Sequence, residues 1–342
     1  MKYNISLVIV SPMLSSFIIP GIPGLGSNLE PAEIKKVNQE NSILSALSRL
    51  YKFRDSVYYL GYSNHRIIRR LFKKKGIPQK FRQLKNNVYA TLFSNIPQLI
   101  LAPEELEYFP DRKLGNQVYS GCQVDWDRIE KFNSPAFEQL FNSLTLIKEN
   151  TDTKIIFCSF GSMHGEWNTA IVTFLQKLFA VIAKIRNYKL VCSFNDFKNQ
   201  LNKNELSDNI FLFDRLPQLK ILEIADLFIT HAGLGSIKES IMSGVPMLAY
   251  PFTKKWDSTG NASKIQYHVL GLKGNMDTDS ENDIAEKIAA IFLTKKYENN
   301  IEIMKTLIDT KYSARYVLDI FESLKKTQSV NVVLENAGAS HS

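Results

Sequence analysis

The stretch from Leu216 to Ile265 constrains the fold of this chain more than any other part of the sequence. In it a short apolar run, residues 226–230, ends at His231, and after two glycines a helix is predicted to open at Ser236. A strand, a glycine-rich turn and a helix N-terminus together favour an anion, because unpaired backbone N–H groups and the helix dipole both attract negative charge. The spacing of the second apolar run and the polar residues after it suggests that this anion is a nucleotide diphosphate.

From Thr153 onward, apolar runs typical of strands alternate with patterns typical of helices. The predicted strands are Ile155–Phe160, Leu190–Ser193, Ile210–Phe213, Leu227–Thr230 and Met247–Tyr250, and helices are predicted at Val172–Ile185 and Ile284–Phe292. This alternation predicts an α/β fold with a parallel sheet covered on both faces. Ligands of such sheets bind at the carboxyl ends of the strands.

The first 150 residues have a less regular pattern. Strands are predicted at Ile5–Val10, Gln98–Ala102 and Val118–Asp125, and amphipathic helices at Ile43–Phe53 and His65–Phe72. The predicted organisation is therefore a first domain over residues 1–125, a polar linker over 126–152, a doubly wound domain over 153–326 and a flexible tail over 327–342.

The three cysteines form no metal-ligand or disulfide pattern. Cys158 and Cys192 lie inside apolar runs, where a reduced and buried thiol is expected, so the predicted compartment is the cytoplasm. No apolar run reaches the roughly 20 residues that a membrane helix needs.

The net charge of +8 is concentrated in one basic segment. Between Arg49 and Lys85 twelve basic residues face a single acidic one, Asp55, so this segment carries +11 and the rest of the chain −3. Nucleic acid is not the expected partner, because no recognition motif accompanies these charges. Basic and apolar residues alternate at helical spacing from Arg66 to Lys73, which leaves two interpretations: peripheral contact with anionic lipid at the inner membrane surface, or a helix packed on its own domain with a solvated basic face.

Five ordered motifs resemble those of a known family. They are Phe157–Ser162 (FCSFGS), Leu216-Pro217-Gln218, Thr230–Glu239 (THAGLGSIKE), Gly244-Val245-Pro246 and Asp257–Ala262. Together they resemble the nucleotide-sugar domain of the UDP-glycosyltransferase superfamily (glycosyltransferase family 1, GT-B fold), closely over residues 154–325 and loosely over 5–125. The resemblance implies two Rossmann-like doubly wound domains: an incomplete acceptor-side domain over 1–125 and the donor-binding domain over 153–326.

The resemblance also implies a role for each motif residue in binding the donor. The diphosphate would be held by His231, Gly233, Gly235 and Ser236, and the phosphates and reacting centre would face Gly161 and Ser162. The base would lie against Arg215, Leu216 and Gln218, the ribose hydroxyls would bind Glu239, and the sugar hydroxyls would bind Asp257 and Ser258. Donors around a leaving diphosphate stabilise the charge that grows as the glycosidic bond breaks.

The sequence departs from the family pattern at several positions. Arg215 stands where a base-stacking Trp is common, Gly235 where an Asn is common, and Ser258 where a Gln is usual. A guanidinium can also stack on a base. The first predicted strand is followed by Ser-Pro-Met and not by the family's Gly-His turn, so no catalytic base is assigned, and the chain is expected to begin partway through the acceptor domain.

Two of these site assignments have a purely structural alternative. Ser236 and Glu239 match a capping box, in which both side chains satisfy N–H groups at a helix start. Asp257 matches a simple helix N-cap.

The predicted function is an inverting hexosyltransferase that moves a sugar from a UDP-sugar, or a related nucleotide sugar, to a hydroxyl of a small or lipophilic acceptor. The UDP-sugar is a co-substrate, and no cofactor or metal is expected, because no carboxylate pair marks a metal site. One alternative is a catalytically incomplete nucleotide-sugar-binding chain that needs a partner or lacks its N-terminus. Another is a nucleotide-sugar epimerase, which would need carboxylates placed for acid–base work.

Overall fold

The computed structural model describes residues 8–17, 19–34, 64–76, 93, 96–128, 134–161, 168–194, 206–253 and 256–326. The predicted helix at 43–53, the start of the first predicted strand and Ser162 lie outside these residues. The chain divides into two compact units, one made of residues 1–121 and 309–342 and the other of residues 122–308.

The described strands and helices alternate along most of the chain. In chain order they are β1 (Ile9–Ser11), α1 (Asn64–Lys74), β2 (Gln98–Ile100), β3 (Gln117–Tyr119), α2 (Pro135–Asn150), β4 (Lys154–Ser159), α3 (Asn168–Ala183), β5 (Tyr188–Ser193), β6 (Ile210–Phe213), α4 (Gln218–Leu222), β7 (Leu227–Thr230), α5 (Leu234–Met242), β8 (Met247–Ala249), α6 (Ser258–Tyr267), β9 (Gly271–Lys273), α7 (Glu281–Phe292), α8 (Lys296–Lys311) and α9 (Ala314–Lys326). The strands and helices predicted within the described residues are confirmed, with bounds that shift by a few residues.

The first unit contains a three-stranded parallel sheet in the order β1-β2-β3. Leu99 of β2 pairs with Val10 on one side and with Val118 on the other. Leu99 and Val118 pack with Ile320 of α9 in a small buried cluster. The C-terminal helix therefore completes the core of the first unit.

A second contact between the C-terminal segment and the first unit is polar. The Lys311 ammonium pairs with both Glu104 and Glu105, and the Tyr312 hydroxyl donates to Glu105 over 3.0 Å. Burial alone would raise the pKa of Glu104, but hydrogen bonds from Lys113 and Lys311 outweigh burial and lower the pKa below its usual value. These contacts explain why residues from 309 onward group with the first unit, whereas the sequence pattern extended the second domain to residue 326.

We predict that Glu104→Gln lowers the free energy of unfolding of the first unit by about 1–2 kcal/mol at pH 7, because it leaves two ammonium groups with a neutral partner. The folded-state pKa of Glu104 lies below the usual 4.5, so its contribution is complete above pH 4.5 and is lost as the pH falls through the folded-state pKa. Urea unfolding from pH 7 to pH 3 measures this.

The control for this experiment is Glu138→Gln, which removes the charge of the exposed Glu138–Lys220 pair. It should change the free energy of unfolding by about 0.5 kcal/mol or less. Equal effects of the two substitutions, or an effect of Glu104→Gln that grows toward pH 3, would contradict this account.

The second unit is built on a six-stranded parallel sheet in the order β6-β5-β4-β7-β8-β9. The chain adds β5 and β6 on one side of β4, then returns to add β7, β8 and β9 on the other side. The direction of winding therefore reverses between β4 and β7, where Ser159 pairs with Thr230. The doubly wound prediction is confirmed, and β9 (Gly271–Lys273) extends it by one strand that was too short to predict.

Helix α3 covers one face of this sheet with an apolar stripe. Ile171, Leu175, Leu178 and Ile182 recur at intervals of three or four residues, and each is fully buried against strands that include Ile156 of β4. Burying such a side chain contributes about 1.5–3 kcal/mol. The stripe belongs to one hydrophobic cluster that also includes residues of β4, β5, β7 and β8.

Helix α2 lies in the interval that was predicted to be a polar linker. Ser134 caps it by accepting a hydrogen bond from the Phe137 amide over 3.3 Å, and Pro135 occupies its first turn. Only Phe137 and Leu144 of this helix are buried. The sequence does carry a helical signal that the linker prediction overlooked, because apolar residues recur at positions 137, 140, 141 and 144 after the Ser134-Pro135 start.

The two cysteines predicted to be buried lie side by side in the sheet. Cys158 of β4 pairs with Cys192 of β5, and both are free and fully buried. Burial and the neighbouring thiol raise the pKa of Cys158. The predicted state of these two thiols is confirmed.

Helix α1 carries part of the basic segment and confirms the helix predicted over His65–Phe72. Phe72 stacks on Phe93, with ring centroids 5.7 Å apart, while Ile67 and Leu71 are 40% and 49% exposed. In the part of the chain that the structure describes, no helix combines the length and apolarity required to cross a bilayer.

Candidate functional site

The candidate site lies at the carboxyl ends of β4 and β7, on either side of the point where the winding reverses. Gly161 follows β4 by two residues, and His231 follows β7 directly. Because β4 and β7 are paired and parallel, the loops that leave them emerge next to each other. Ligands of doubly wound sheets bind at this crevice.

The imidazole of His231 is packed between two glycine backbones. A Cβ atom at Gly161 would lie 3.0 Å from Cε1 of His231, and one at Gly233 would lie 2.6 Å from Nε2. The ring also stacks on Phe252, with centroids 5.4 Å apart. Gly161 has a φ of +72°, which other residues rarely adopt. These positions need glycine because a side chain would displace the imidazole.

The turn after β7 passes through a strained residue. Ala232 has a φ of 63° and is fully buried. A left-handed conformation at such a residue costs about 1–3 kcal/mol and is kept only where the surroundings enforce it. Here the Asn261 amide donates to the carbonyl oxygen of Ala232 over 3.1 Å. This bond helps to fix the turn that leads into α5.

Helix α5 starts earlier than the sequence predicted. Its N-cap is Gly233, and the Ile237 amide donates to the Gly233 carbonyl over 3.0 Å, so the first helical residue is Leu234 and not Ser236. Ser236 is the third residue of the helix and cannot act as the N-cap of a capping box, which makes that alternative wrong. Gly233 has no side chain with which to cap the first N–H groups, and this suits an anion at the helix end.

A polar cluster follows one turn further along α5. The Gln218 amide donates to the Glu239 carboxylate over 2.7 Å and to the Ser236 hydroxyl over 3.3 Å. Arg128 donates to both carboxylate oxygens of Glu239, over 2.5 Å from Nη1 and 3.4 Å from Nη2. The side chain of Glu239 is only 14% exposed. Ser236 and Glu239 lie on one face of the helix, as their spacing requires.

Asp257 occupies the N-cap position of α6 but does not cap it. Its backbone is helical, and its side chain makes no capping hydrogen bond. The Asn261 amide instead donates to the Asp257 carboxylate over 3.0 Å. The simple N-cap alternative is therefore wrong, and Asn261 connects Asp257 to Ala232 in the turn after β7.

The remaining predicted residues differ in how exposed they are to solvent. Arg215 is exposed and Leu216 half-buried in the segment that leads to Gln218, Gly235 is exposed, and Ser258 is buried at the start of α6. Ser162 lies outside the described residues. The structure thus brings Gly161, His231 and Gly233 together in one group, and Gln218, Ser236 and Glu239 in another.

Three residues of the site were missed in the sequence. Asn261 could have been found from its i,i+4 spacing to Asp257, since these positions are neighbours on a helix. Phe252 follows β8 without a distinctive pattern. Arg128 reaches Glu239 across more than a hundred residues of sequence, so no local spacing could reveal it.

The described residues include no group of three or more His, Cys, Asp or Glu side chains that could hold a metal ion. The polar groups at the site are an imidazole, hydroxyls, amides, a guanidinium and two carboxylates. Together with the helix N-terminus they can bind an anion and neighbouring hydroxyl groups.

Comparison with known proteins identifies the class. The family of UDP-glucoronosyl and UDP-glucosyl transferases matches residues 138–311, just over half of the chain. The match contains β4 to β9, α5 and all the described site residues except Arg128. The chain belongs to this family.

Curated relatives match more than half of the chain. The oleandomycin glycosyltransferase of Streptomyces antibioticus is 29% identical over 193 residues, which cover 55% of this chain and 40% of that protein. The chain thus spans about two fifths of the length of the first curated relatives it matches.

Solved structures with the same fold extend over more of the chain. The glycotransferase of kitacinnamycin has a TM-score of 0.64 at 17% identity, with 93% of this chain and 70% of that chain covered. CalG4, the calicheamicin glycosyltransferase, has a TM-score of 0.54 at 15% identity, with 80% and 65% covered. These matches confirm the predicted GT-B fold.

We predict that Gly233→Ala weakens the binding of uridine diphosphate about tenfold or more, because the new methyl group would lie 2.6 Å from the His231 ring and displace it. Asn299→Ala is the control, since Asn299 is an exposed residue of α8 and has no place in the candidate site. Titration calorimetry measures both variants. Equal affinities in the two variants would show that the position of the imidazole does not matter for binding.

Proposed function

We propose that this chain binds a UDP-sugar and transfers its hexose to a hydroxyl group of a small or lipophilic acceptor, with inversion at the anomeric carbon. The observation that carries the proposal is the arrangement along α5. His231 lies at the amino end of the helix between Gly161 and Gly233, and the Gln218–Ser236–Glu239 cluster lies one turn deeper.

This arrangement matches the order of groups in a nucleoside diphosphate. The N–H groups at the start of α5 and His231 suit the diphosphate, and Ser236 suits a phosphate oxygen. Glu239 lies three residues further, about 4.5 Å along the helix axis. Its carboxylate can accept hydrogen bonds from the two ribose hydroxyls, and the Arg215–Gln218 segment would then lie near the base.

The chemistry follows from these contacts. The acceptor oxygen attacks the anomeric carbon on the face opposite the diphosphate, the bond from that carbon to the phosphate oxygen breaks, and its electron pair stays on the diphosphate. His231 and the helix N–H groups stabilise this developing charge. The acceptor hydroxyl gives its proton to a general base. No metal or cofactor enters the scheme, because neutral and backbone donors surround the diphosphate.

Asp257 supports the sugar end of the donor. Its carboxylate is tied to the diphosphate turn through Asn261, which bonds to both Asp257 and Ala232. A sugar attached to the second phosphate would reach this carboxylate. We propose that Asp257 accepts from the sugar hydroxyls, with Ser258 as a further candidate from the family pattern.

The test combines binding and turnover. Calorimetry with UDP, UDP-glucose, UDP-N-acetylglucosamine and UDP-glucuronate should show micromolar to millimolar binding, and incubation with a panel of hydroxylated acceptors should release UDP. Donor binding without transfer or donor hydrolysis would favour the catalytically incomplete alternative. Interconversion of sugar epimers without an acceptor would favour the epimerase.

We expect Asp257→Ala to weaken UDP-sugar binding about tenfold or more and to leave UDP binding unchanged, since only the sugar loses a charged hydrogen-bond partner. Asp208→Ala is the control, because Asp208 is exposed near the start of β6, at the opposite edge of the sheet. Equal loss of UDP and UDP-sugar affinity in Asp257→Ala would contradict the assigned role.

We further propose that α1 contacts anionic lipid, which would bring the protein to a lipophilic acceptor at the inner surface of a cytoplasmic membrane. The exposed Ile67 and Leu71 are flanked by the exposed basic residues Arg70, Lys73 and Lys74. Such a face suits the boundary between headgroups and acyl chains.

Replacing Arg70, Lys73 and Lys74 with Glu should abolish sedimentation with vesicles that contain 30% phosphatidylserine. We expect each lost cation to cost about 1 kcal/mol of binding at low salt. The control replaces Lys184, Lys189 and Lys296, which lie on the second unit, with Glu. Wild-type protein that does not sediment, or a triple variant that sediments unchanged, would show that the basic face is merely solvated.

A further inference from the structure

Arg128 contacts α5 within the second unit, because its guanidinium pairs with the Glu239 carboxylate. Burial lowers the pKa of Lys238, the residue before Glu239, and Cys122 and Glu239 act in the opposite direction. Arg128 therefore borders the part of α5 to which the ribose is assigned.

The contact between Arg128 and Glu239 uses the whole carboxylate. One guanidinium nitrogen lies 2.5 Å from Oε1, and the other lies 3.4 Å from Oε2, which also accepts from Gln218 over 2.7 Å. A carboxylate offers about four lone-pair positions, so three donors leave little room for two more. Two vicinal hydroxyls and a guanidinium both present paired donors to such a group.

We propose that Arg128 occupies the place of the ribose diol in the unliganded protein and leaves Glu239 when a nucleotide binds. This inference rests on the proposed function, because it takes Glu239 to be the ribose-binding carboxylate. Arg128 is then a specificity-determining residue: it competes with any ligand that uses Glu239. A nucleotide without ribose hydroxyls does not use Glu239 and meets no such competition.

The competition is expected to weaken the binding of ribonucleotides. The protein must break the ion pair to bind a ribonucleotide, so the apparent affinity falls by the fraction of molecules in which the ion pair is open. Arg128 therefore weakens the preference of the site for ribonucleotides over 2′,3′-dideoxyribonucleotides. Gln218, which approaches the same carboxylate from α4, can remain in place during the exchange.

The test compares UDP with 2′,3′-dideoxyuridine diphosphate by titration calorimetry at fixed ionic strength. The readout is the ratio of the dideoxy Kd to the UDP Kd, in which a general change of protein charge cancels. We expect Arg128→Gln and Arg128→Ala to raise this ratio about two- to fivefold, the range of a partly exposed ion pair. Arg186→Gln is the matched control. Arg186 is exposed and lies just before β5, at the amino ends of the strands, whereas the candidate site lies at their carboxyl ends.

A ratio that stays unchanged or falls in the Arg128 variants would overturn the proposal and make Arg128 a supporting residue of the site. If these variants fail to fold, a salt titration of the wild-type protein replaces them. The ratio should then rise with sodium chloride, because salt screens the ion pair, and a flat ratio would overturn the proposal.

Glu239→Ala separates this proposal from the proposed function. In that variant the ratio should approach one, and adding Arg128→Gln should not change it further. If neither nucleotide binds the wild-type protein, the proposed function fails. A different result would overturn only the inference about Arg128. In that case UDP binds and Glu239→Ala removes the preference for ribose, but Arg128→Gln in the otherwise wild-type protein leaves the ratio unchanged.

Discussion

The parallel pairing of β4 with β7 is the constraint on which the site depends. Ser159 and Thr230 are neighbours in this pairing, so the chain leaves both strands at the same level and Gly161 meets His231. A shift of one residue in the register would exchange the side chains that β7 presents to the two faces of the sheet and would separate these loops. The buried apolar residues of both strands disfavour such a shift. The packing of the core therefore fixes the positions of the loops that form the candidate site.

The geometry of the site also depends on hydrogen bonds to a few polar groups that are shielded from water. The strained Ala232 turn is fixed by Asn261, and the Glu239 carboxylate is satisfied by Gln218 and Arg128. A shielded carboxylate without partners would be costly, so Gln218 and Arg128 stabilise the ionised Glu239 in the folded protein. Under the proposed function, stability without ligand and affinity for ligand compete at Glu239.

Much of the second unit could be predicted from the sequence because its strands are short, apolar and separated by clear turns. The ordered motifs also named Gln218, Ser236 and Glu239, which the structure brings into contact with one another, while their roles toward a ligand stay predictions. The start of α5 was misplaced because a glycine N-cap preceded by a left-handed alanine leaves no side-chain capping motif to recognise. Arg128, the core contact of Ile320 and the Lys311–Glu104 pair depend on long-range packing, which no local pattern encodes.

The central claim is that one crevice, at the reversal between β4 and β7, holds a nucleoside diphosphate along α5. The most direct measurement is a crystal structure of the protein with UDP. The account predicts the diphosphate at the Gly233 end of α5 beside His231, with both ribose hydroxyls on Glu239 and Arg128 moved away. A nucleotide found elsewhere, or one bound here with its base at the amino end of the helix, would contradict it.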